Sequence, residues 1–325
     1  MDLSTTYMGL KLRNPLIVSS SRITSTIEDI KKCADYGAGA IVLKSLFEEQ
    51  FLADSERLID QDDKYFWYPE AIDYINEHSK EHGIKGYLKL IKGAKEQTNV
   101  PIIASINCVT ATEWPRYARE LVEAGADGLE LNVFIVPKNE VISSAEIEDL
   151  YARIVGEVRK NVNVPIAVKI GPFFSNAFNM TSRLCNAGAN GLVVFNRFYR
   201  PDIDIETEEI TRPNYLSCAQ EMGQPLRWVS LFSTRVKCDI VGNTGIHDGT
   251  GMIKMLLAGA TAVQVCSTLY INGLGYIDTM LNDLQKWMTW KGYDKIDDFR
   301  GKLTRHHDNI AAFERVQFLK QALGE

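Results

Sequence analysis

The chain has 325 residues, 45% hydrophobic and 24% charged, with a formal net charge of −6. That composition belongs to a folded protein exposed to water; the acidic balance argues against nucleic acid as a main partner, and no apolar run reaches membrane-span length. The six cysteines (33, 108, 185, 218, 238 and 266) lack C-x-x-C spacing, which argues against a zinc ribbon or a thiolate-held iron–sulfur cluster and predicts mostly reduced, buried thiols in a cytoplasmic chain.

Taken in order, the N-terminal MDLSTTYMGLKLRNP has no signal-peptide core, and Leu16-Ile-Val18 is the first apolar run. A motif then recurs, in which an amphipathic helix ends at Gly-Ala and leads into a short apolar strand. It occurs at Tyr36 to Lys44, Ala124 to Asn132, Ala187 to Asn196 and Ala258 to Cys266. Glycine past a helix end is a favoured cap, and the apolar run after it suits a strand buried on both faces. Ile102 to Ser105 and Ile166 to Lys169 each follow an Asn-Val-Pro signal, and Ile240-Val241 completes the series. Eight strands alternating with helices predict a single α/β domain over residues 1–325: a closed (β/α)8, or TIM, barrel with a helical extension at its C-terminal end. A doubly wound open sheet is the alternative, but the chain lacks an early G-x-G-x-x-G turn.

Barrel chemistry belongs at strand C-termini, and polar residues stand there. They are Ser19-Ser20-Ser21, Lys44-Ser45, Ser105 with Asn107, Asn132, Lys169, Asn196, Asn243-Thr244 and Ser267-Thr268. Two lysines at one barrel mouth point to an anionic ligand, because a buried ammonium is costly unless paired. Gly242-Asn243-Thr244-Gly245 and Ser267-Thr268, after strands seven and eight, have the form of a phosphate site. Long segments after strands two, four and six predict lids or substrate walls on the same face. The Tyr65-Phe66-Trp67-Tyr68 cluster within the first is read as packing over the mouth, a partner contact or ligand stacking.

In their order along the chain these residues resemble the dihydroorotate dehydrogenase family of FMN barrels, most nearly its soluble branch. The resemblance rests on Leu10-Lys-Leu-Arg-Asn14-Pro15, Lys44-Ser45, Glu130-Leu131-Asn132, Val168-Lys169, Asn196, the Gly242 to Ile246 turn, Ser267-Thr268 and the segment from Lys291 to Leu303. It implies FMN as cofactor and hydride transfer between a small anionic substrate, dihydroorotate or a related compound, and flavin N5. It implies that Ser19 and Ser20 lie beside the flavin ring and that Ser45 and Ser105 also bind the cofactor. Lys44, Asn132 and Asn196 would be catalytic and cofactor-binding, with Lys44 between flavin and the substrate carboxylate, Asn132 touching both and Asn196 contacting the substrate. Lys169 would sit at the flavin N1/O2 edge, where a cation stabilises the reduced ring. Gly242, Asn243, Thr244, Gly245, Ser267 and Thr268 would hold the phosphate. A homodimer is implied as well; no metal is, and the electron acceptor is left open.

Three departures set this chain apart. The family carries a Cys or Ser base in the loop after strand four, whereas Asn132-Val133-Phe134-Ile135-Val136-Pro137 puts isoleucine there, and an alkyl group removes no proton. The family's asparagine-rich loop after strand two is replaced by the aromatic and acidic run, and the glycine turn after strand six gives way to Ser217-Cys218-Ala219-Gln220-Glu221. Cys108, Ser143, Ser144 and Tyr199 remain as substitute bases, each read first as structural and only then as catalytic. The rival functions are a flavin-free aldolase or isomerase forming a Schiff base on Lys169 or Lys44, and a flavoprotein without catalysis.

Overall fold

The computed structural model describes residues 1–47, 84–108, 114–135, 140–198, 201–211 and 215–304. All eight predicted apolar runs are strands. They are β3 (Leu16–Val18), β4 (Ala40–Val42), β6 (Ile102–Cys108), β7 (Gly128–Val133), β8 (Ile166–Ile170), β9 (Gly191–Val194), β12 (Asp239–Gly242) and β13 (Ala262–Val265). Each pairs in parallel with the next in that order, and β13 returns to β3, so the sheet closes into an eight-stranded (β/α)8 barrel. A two-residue strand β5 (Leu46–Phe47) adds a parallel pairing to the end of β6.

The helices between strands bury one stripe each. α1 (Ile27–Asp35) turns Ile30, Cys33 and Ala34 inward, and starts where Thr26 Oγ1 accepts from the Asp29 N–H at 3.2 Å. α2 (Ile84–Gln97), α3 (Trp114–Glu123), α4 (Ser144–Asn161), α5 (Ala177–Asn186), α6 (Gly223–Ser233) and α7 (Gly249–Leu257) complete the outer ring. α8 (Ser267–Asn272) and α9 (Tyr276–Lys291) follow the last strand, so the expected C-terminal helix exists; residues beyond 304 lie outside the described set. Among the described residues no helix is long and apolar enough to cross a membrane.

Two hairpins were not anticipated. β1 (Thr5–Tyr7) and β2 (Leu10–Leu12) pair antiparallel and close the N-terminal end of the barrel. Tyr7 and Leu12 are fully buried there with the inward-facing Ile17, Val42, Val193 and Val241. The hairpin comes so near the start of β9 that a Cβ on Gly191 would lie 2.8 Å from the Tyr7 ring, which is why a residue without a side chain stands there. β10 (Asp202–Asp204) and β11 (Glu209–Thr211) form a ribbon within the long segment after β9. Neither hairpin has a two-residue Asn-Gly signal, and three-residue strands leave little periodicity to read.

The cysteine expectation needs correction. Cys185, at the end of α5, and Cys238, just before β12, are joined in a disulfide across Cα atoms 5.9 Å apart. They are 53 residues apart in sequence, and the pairing of β9 with β12 brings together the segments that carry them. Cys33 is buried as expected, whereas Cys218 is exposed.

Candidate functional site

Alternation along a strand puts every second residue on the inner wall. On β6 this selects Ser105 and Asn107, on β7 Glu130 and Asn132, on β8 Lys169 and on β13 Gln264; the ladder sets Ser105 beside Glu130 and aligns Asn107, Asn132 and Lys169 in one row. Lys169 is 7% exposed, and its Nζ donates to Ser19 Oγ at 3.4 Å. Because β8 and β3 stand on opposite sides of the ring, that contact spans the interior and fixes the lysine as pointing into the barrel.

Around this cation the structure gathers most of the residues singled out from the sequence. Ser20 and Ser45 are joined through their hydroxyls at 2.9 Å, and Ser45 and Ser105 at 2.8 Å, while the Ser45 N–H donates to Ser20 Oγ at 2.8 Å. Tyr87 on α2 locks the end of this chain by accepting the Ser105 N–H at 3.0 Å. Asn196 Nδ2 donates to Asn132 Oδ1 at 3.0 Å, so these two expected substrate contacts form one unit. Lys44 stands half-buried just beyond β4, its N–H donating to the Thr24 carbonyl at 3.3 Å.

The expected phosphate turns form a second group. Asn243 Nδ2 and Thr244 Oγ1 both donate to the Phe195 carbonyl, at 2.7 and 2.9 Å, which ties this turn to the end of β9. These side chains therefore shape the turn, and the Asn243 N–H donates to the Val194 carbonyl at 2.8 Å. Gly245 lies at φ +76° with Met222 packed against it. Ser267 Oγ accepts the Ser217 N–H at 2.9 Å, and Thr268 Oγ1 donates to the His247 carbonyl at 2.7 Å. Ser217 and His247 join the group through a 3.0 Å contact between Oγ and Nε2. The segment that departs from the family thus still reaches these turns, pinned by the Arg197–Glu221 ion pair at 2.9 Å.

Sequence reasoning missed the strength of Asn107 and the role of Glu130 with Gln264. Asn107 is 1% exposed, yet neither of its amide atoms has a hydrogen-bond partner among the described residues. Its signal was present in the period-two spacing of Ser105 and Asn107 on an otherwise apolar strand. Glu130 is equally buried; Gln264 Nε2 donates to its Oε2, and Gln264 Oε1 accepts from Ser19 Oγ at 3.0 Å. Burial, the largest influence, pushes the Glu130 carboxyl up, against the opposing pull of Lys169 and Gln264.

Of the loop after β7, Phe134 and Ile135 are among the described residues. Ile135 packs against the core, and its N–H donates at 3.3 Å to the hydroxyl of Tyr151, which burial pushes up to about 12. Of the substitute bases, Ser143 caps α4, accepting the Glu146 N–H at 3.3 Å and donating to the Glu146 carboxylate at 2.7 Å, and Ser144 opens the helix. The Cys108 side chain, Tyr199 and the Tyr65 to Tyr68 cluster lie outside the described residues. Beside the loop, Phe134, Phe198 and Phe173 stack in succession at 4.7 and 4.9 Å; Phe173 is 75% exposed.

With the closed barrel and its inner row of Asn107, Asn132 and Lys169 established, comparison with known proteins is decisive. The model of the family described as dihydroorotate dehydrogenase matches residues 2–288. The chain belongs to the dihydroorotate dehydrogenase family. Similar members include the catalytic subunit of dihydroorotate dehydrogenase B (NAD(+)) from Thermoplasma volcanium, 28% identical over 92% of this chain and 98% of the relative. The corresponding Methanosarcina mazei subunit is also 28% identical, over 91% of this chain and 93% of its own length. The dihydropyrimidine dehydrogenase subunit PreA of Escherichia coli K12 is 25% identical, over 92% of this chain and 76% of its own. Membership in the dihydroorotate dehydrogenase family makes the chain a dehydrogenase of the flavin type that acts on CH–CH donors.

Proposed function

We propose that the chain binds FMN and exchanges hydride between flavin N5 and a small anionic ring compound, dihydroorotate or a close relative. The observation that carries the reading is the inner row of Asn107, Asn132 and Lys169. A buried ammonium in one row with an amide that has no partner among the described residues is costly unless a ligand meets both. Both costs fall if a planar, electron-rich group with hydrogen-bonding edges lies against them. The residues present therefore fit FMN, and the backbone-lined turns at Gly242–Gly245 and Ser267–Thr268 fit its phosphate. When bound, FMN supplies the two-electron chemistry.

The chain's own groups then divide the work. Lys169, oriented by Ser19, presents positive charge where reduction adds electron density. Ser20, Ser45 and Ser105 form a hydroxyl floor, and Asn107 offers a donor and an acceptor to the ring edge. Lys44 holds the substrate carboxylate, while the Asn132–Asn196 pair orients its ring. Ile135 takes no proton, so the proton that accompanies hydride transfer passes through another side chain or water. The names of the relatives, catalytic subunits and an NAD-dependent dihydropyrimidine dehydrogenase subunit, support an NAD-linked second chain as electron acceptor and cyclic ureides as substrates. We also propose that the chain acts as one domain in the cytoplasm, as a homodimer or with such a partner.

The test is the visible spectrum of the purified protein and its anaerobic bleaching by dihydroorotate and by dihydropyrimidines. A flavin band bleached by one of them is the expected result. A colourless protein that takes up no FMN refutes the reading. Bleaching by dithionite alone marks a flavoprotein without catalysis, and borohydride trapping of a carbonyl substrate on Lys44 or Lys169 marks a Schiff-base enzyme.

A further inference from the structure

We infer that Glu130 is a positioning residue: a buried counter-charge that sets, through Gln264 and Ser19, how strongly Lys169 attracts electron density onto the bound cofactor. The inference rests on the FMN reading above and deepens it. Its basis is a directed chain of hydrogen bonds running down the barrel interior. Lys169 Nζ donates to Ser19 Oγ at 3.4 Å, Ser19 Oγ donates to Gln264 Oε1 at 3.0 Å, and Gln264 Nε2 donates to Glu130 Oε2. An ammonium only donates and a carboxylate only accepts, so the two ends fix the direction of every link between them. The Ser19 proton and the Gln264 amide each have a single orientation that satisfies both neighbours.

Glu130 also has no structural duty that explains its cost. It is 1% exposed, and its Oε1 has no hydrogen-bond partner among the described residues. A glutamine or an apolar residue would fill the same space without burying an acid. What the acid adds is charge, and its charge is felt by the groups around it. From the β1–β2 hairpin the Tyr7 hydroxyl is held well above its ordinary range, by burial first and then by Glu130 and Asp239. From α2 the Tyr87 hydroxyl is raised by burial, with Glu130 contributing. From β8 comes Lys169, whose charge favours the ionised acid. Both tyrosines keep their protons across the working pH range, so Glu130 and Lys169 are the pair that matters.

The sign follows. Ionised Glu130 cancels part of the Lys169 field and disfavours reduction of the cofactor; neutral Glu130 releases that field. Burial lifts the carboxyl above its ordinary range while Lys169 and Gln264 oppose that lift, so the charge facing Lys169 changes with pH as the acid ionises. The experiment measures the midpoint potential of bound FMN from about pH 5 to about pH 9 in the wild type and in Glu130→Gln. The two should coincide at the acid end and separate as pH rises, with the variant higher by at least a tenfold change in the reduction equilibrium, about 30 mV for a two-electron couple. Equal potentials at every pH overturn the inference. Infrared difference spectra of the flavin-free protein give a second readout: a protonated-carboxyl band that disappears on raising pH in the wild type and is missing in Glu130→Gln. Absence of that band from the wild type also overturns it. A protein that takes up no FMN defeats the FMN reading, while the infrared arm still reports on Glu130. Should Glu130→Gln not fold, Gln264→Met takes its place. Loss of the carboxylate's donor keeps Glu130 neutral to higher pH, so its potential should exceed that of the wild type at intermediate pH, and equality there overturns the inference.

Discussion

Replacing Gly245 by alanine separates the cost of a backbone conformation from the cost of a collision. Gly245 sits at φ +76°, and a Cβ there would lie 2.3 Å from Met222 N, 2.8 Å from Met222 Cα and 2.9 Å from the Glu221 carbonyl carbon. All three are backbone atoms, so no side-chain rotation relieves the contact. Gly292, at φ +72° after α9, has nothing within 4 Å of the same added atom and serves as the control. The left-handed conformation alone costs an L-residue about 1–2 kcal/mol, which is the whole expectation for Gly292→Ala. Gly245→Ala adds about 1–3 kcal/mol for forcing the neighbouring segment aside. Urea unfolding with an unchanged slope would report both as shifts of the midpoint. The displaced segment carries Glu221, which holds Arg197 at 2.9 Å and accepts the Cys218 N–H at 3.0 Å. FMN affinity should therefore fall by about tenfold or more in Gly245→Ala, each tenfold being about 1.4 kcal/mol, and stay unchanged in Gly292→Ala. Equal stability and equal affinity in the two variants would refute the argument that this turn is built against residues 221–222.

Lys169→Met should slow flavin reduction in single-turnover measurements by about 10²–10³-fold, the usual worth of a preorganised electrostatic group; a loss below about tenfold would remove it from the chemistry. Asn107→Leu deletes a buried amide without partners, so the flavin-free protein should gain about 1–2 kcal/mol in denaturant unfolding while FMN affinity falls. Thr26→Ala removes the cap on the Asp29 N–H and should cost about 1 kcal/mol of stability, with turnover unaffected. Ser143 holds the Glu146 carboxyl below the ordinary carboxylate range through its N–H and its hydroxyl. That contribution is present above the unfolded carboxylate pKa and is lost as pH falls through the folded value. Ser143→Ala should therefore flatten the acid side of the stability profile and leave turnover intact; loss of turnover would restore Ser143 as a base.

The barrel was legible because its strands are buried on both faces. Ile166-Ala-Val168 and Gly191-Leu-Val-Val194 are apolar, and the Asn-Val-Pro before the first and the Gly-Ala cap before the second mark where each begins. The site was legible one residue at a time, since a lysine or asparagine ending such a run is conspicuous. What stayed hidden were the partners. Gln264 lies within an apolar run and Glu130 precedes a more conspicuous asparagine, and their bond crosses 134 residues of sequence. No local pattern reports a contact made by ring closure. The Cys185–Cys238 bond escaped because it depends on β9 pairing with β12, 53 residues across the sequence, and cysteine spacing alone pointed the other way.

The division between walls and loops also explains how this chain departs from its family without losing its fold. A wall residue such as Lys169 is fixed on three sides: by the ladder to Asn132, by the ladder to Val193 and by Ser19 across the interior. Changing it disturbs stability and ligand binding together. A loop residue such as Ile135 is held by one N–H to Tyr151 and by contact with the outer core, so its side chain can vary at small cost. Mutations in the two classes should therefore separate. Wall variants would shift folding and cofactor properties at once, in opposite directions for Asn107→Leu, whereas variants at Phe134, Ile135 and Phe198 would alter which substrate is turned over and leave the unfolding midpoint nearly where it was. A loop variant that bleached the cofactor's spectrum would place the ring elsewhere, over the aromatic stack and away from Lys169.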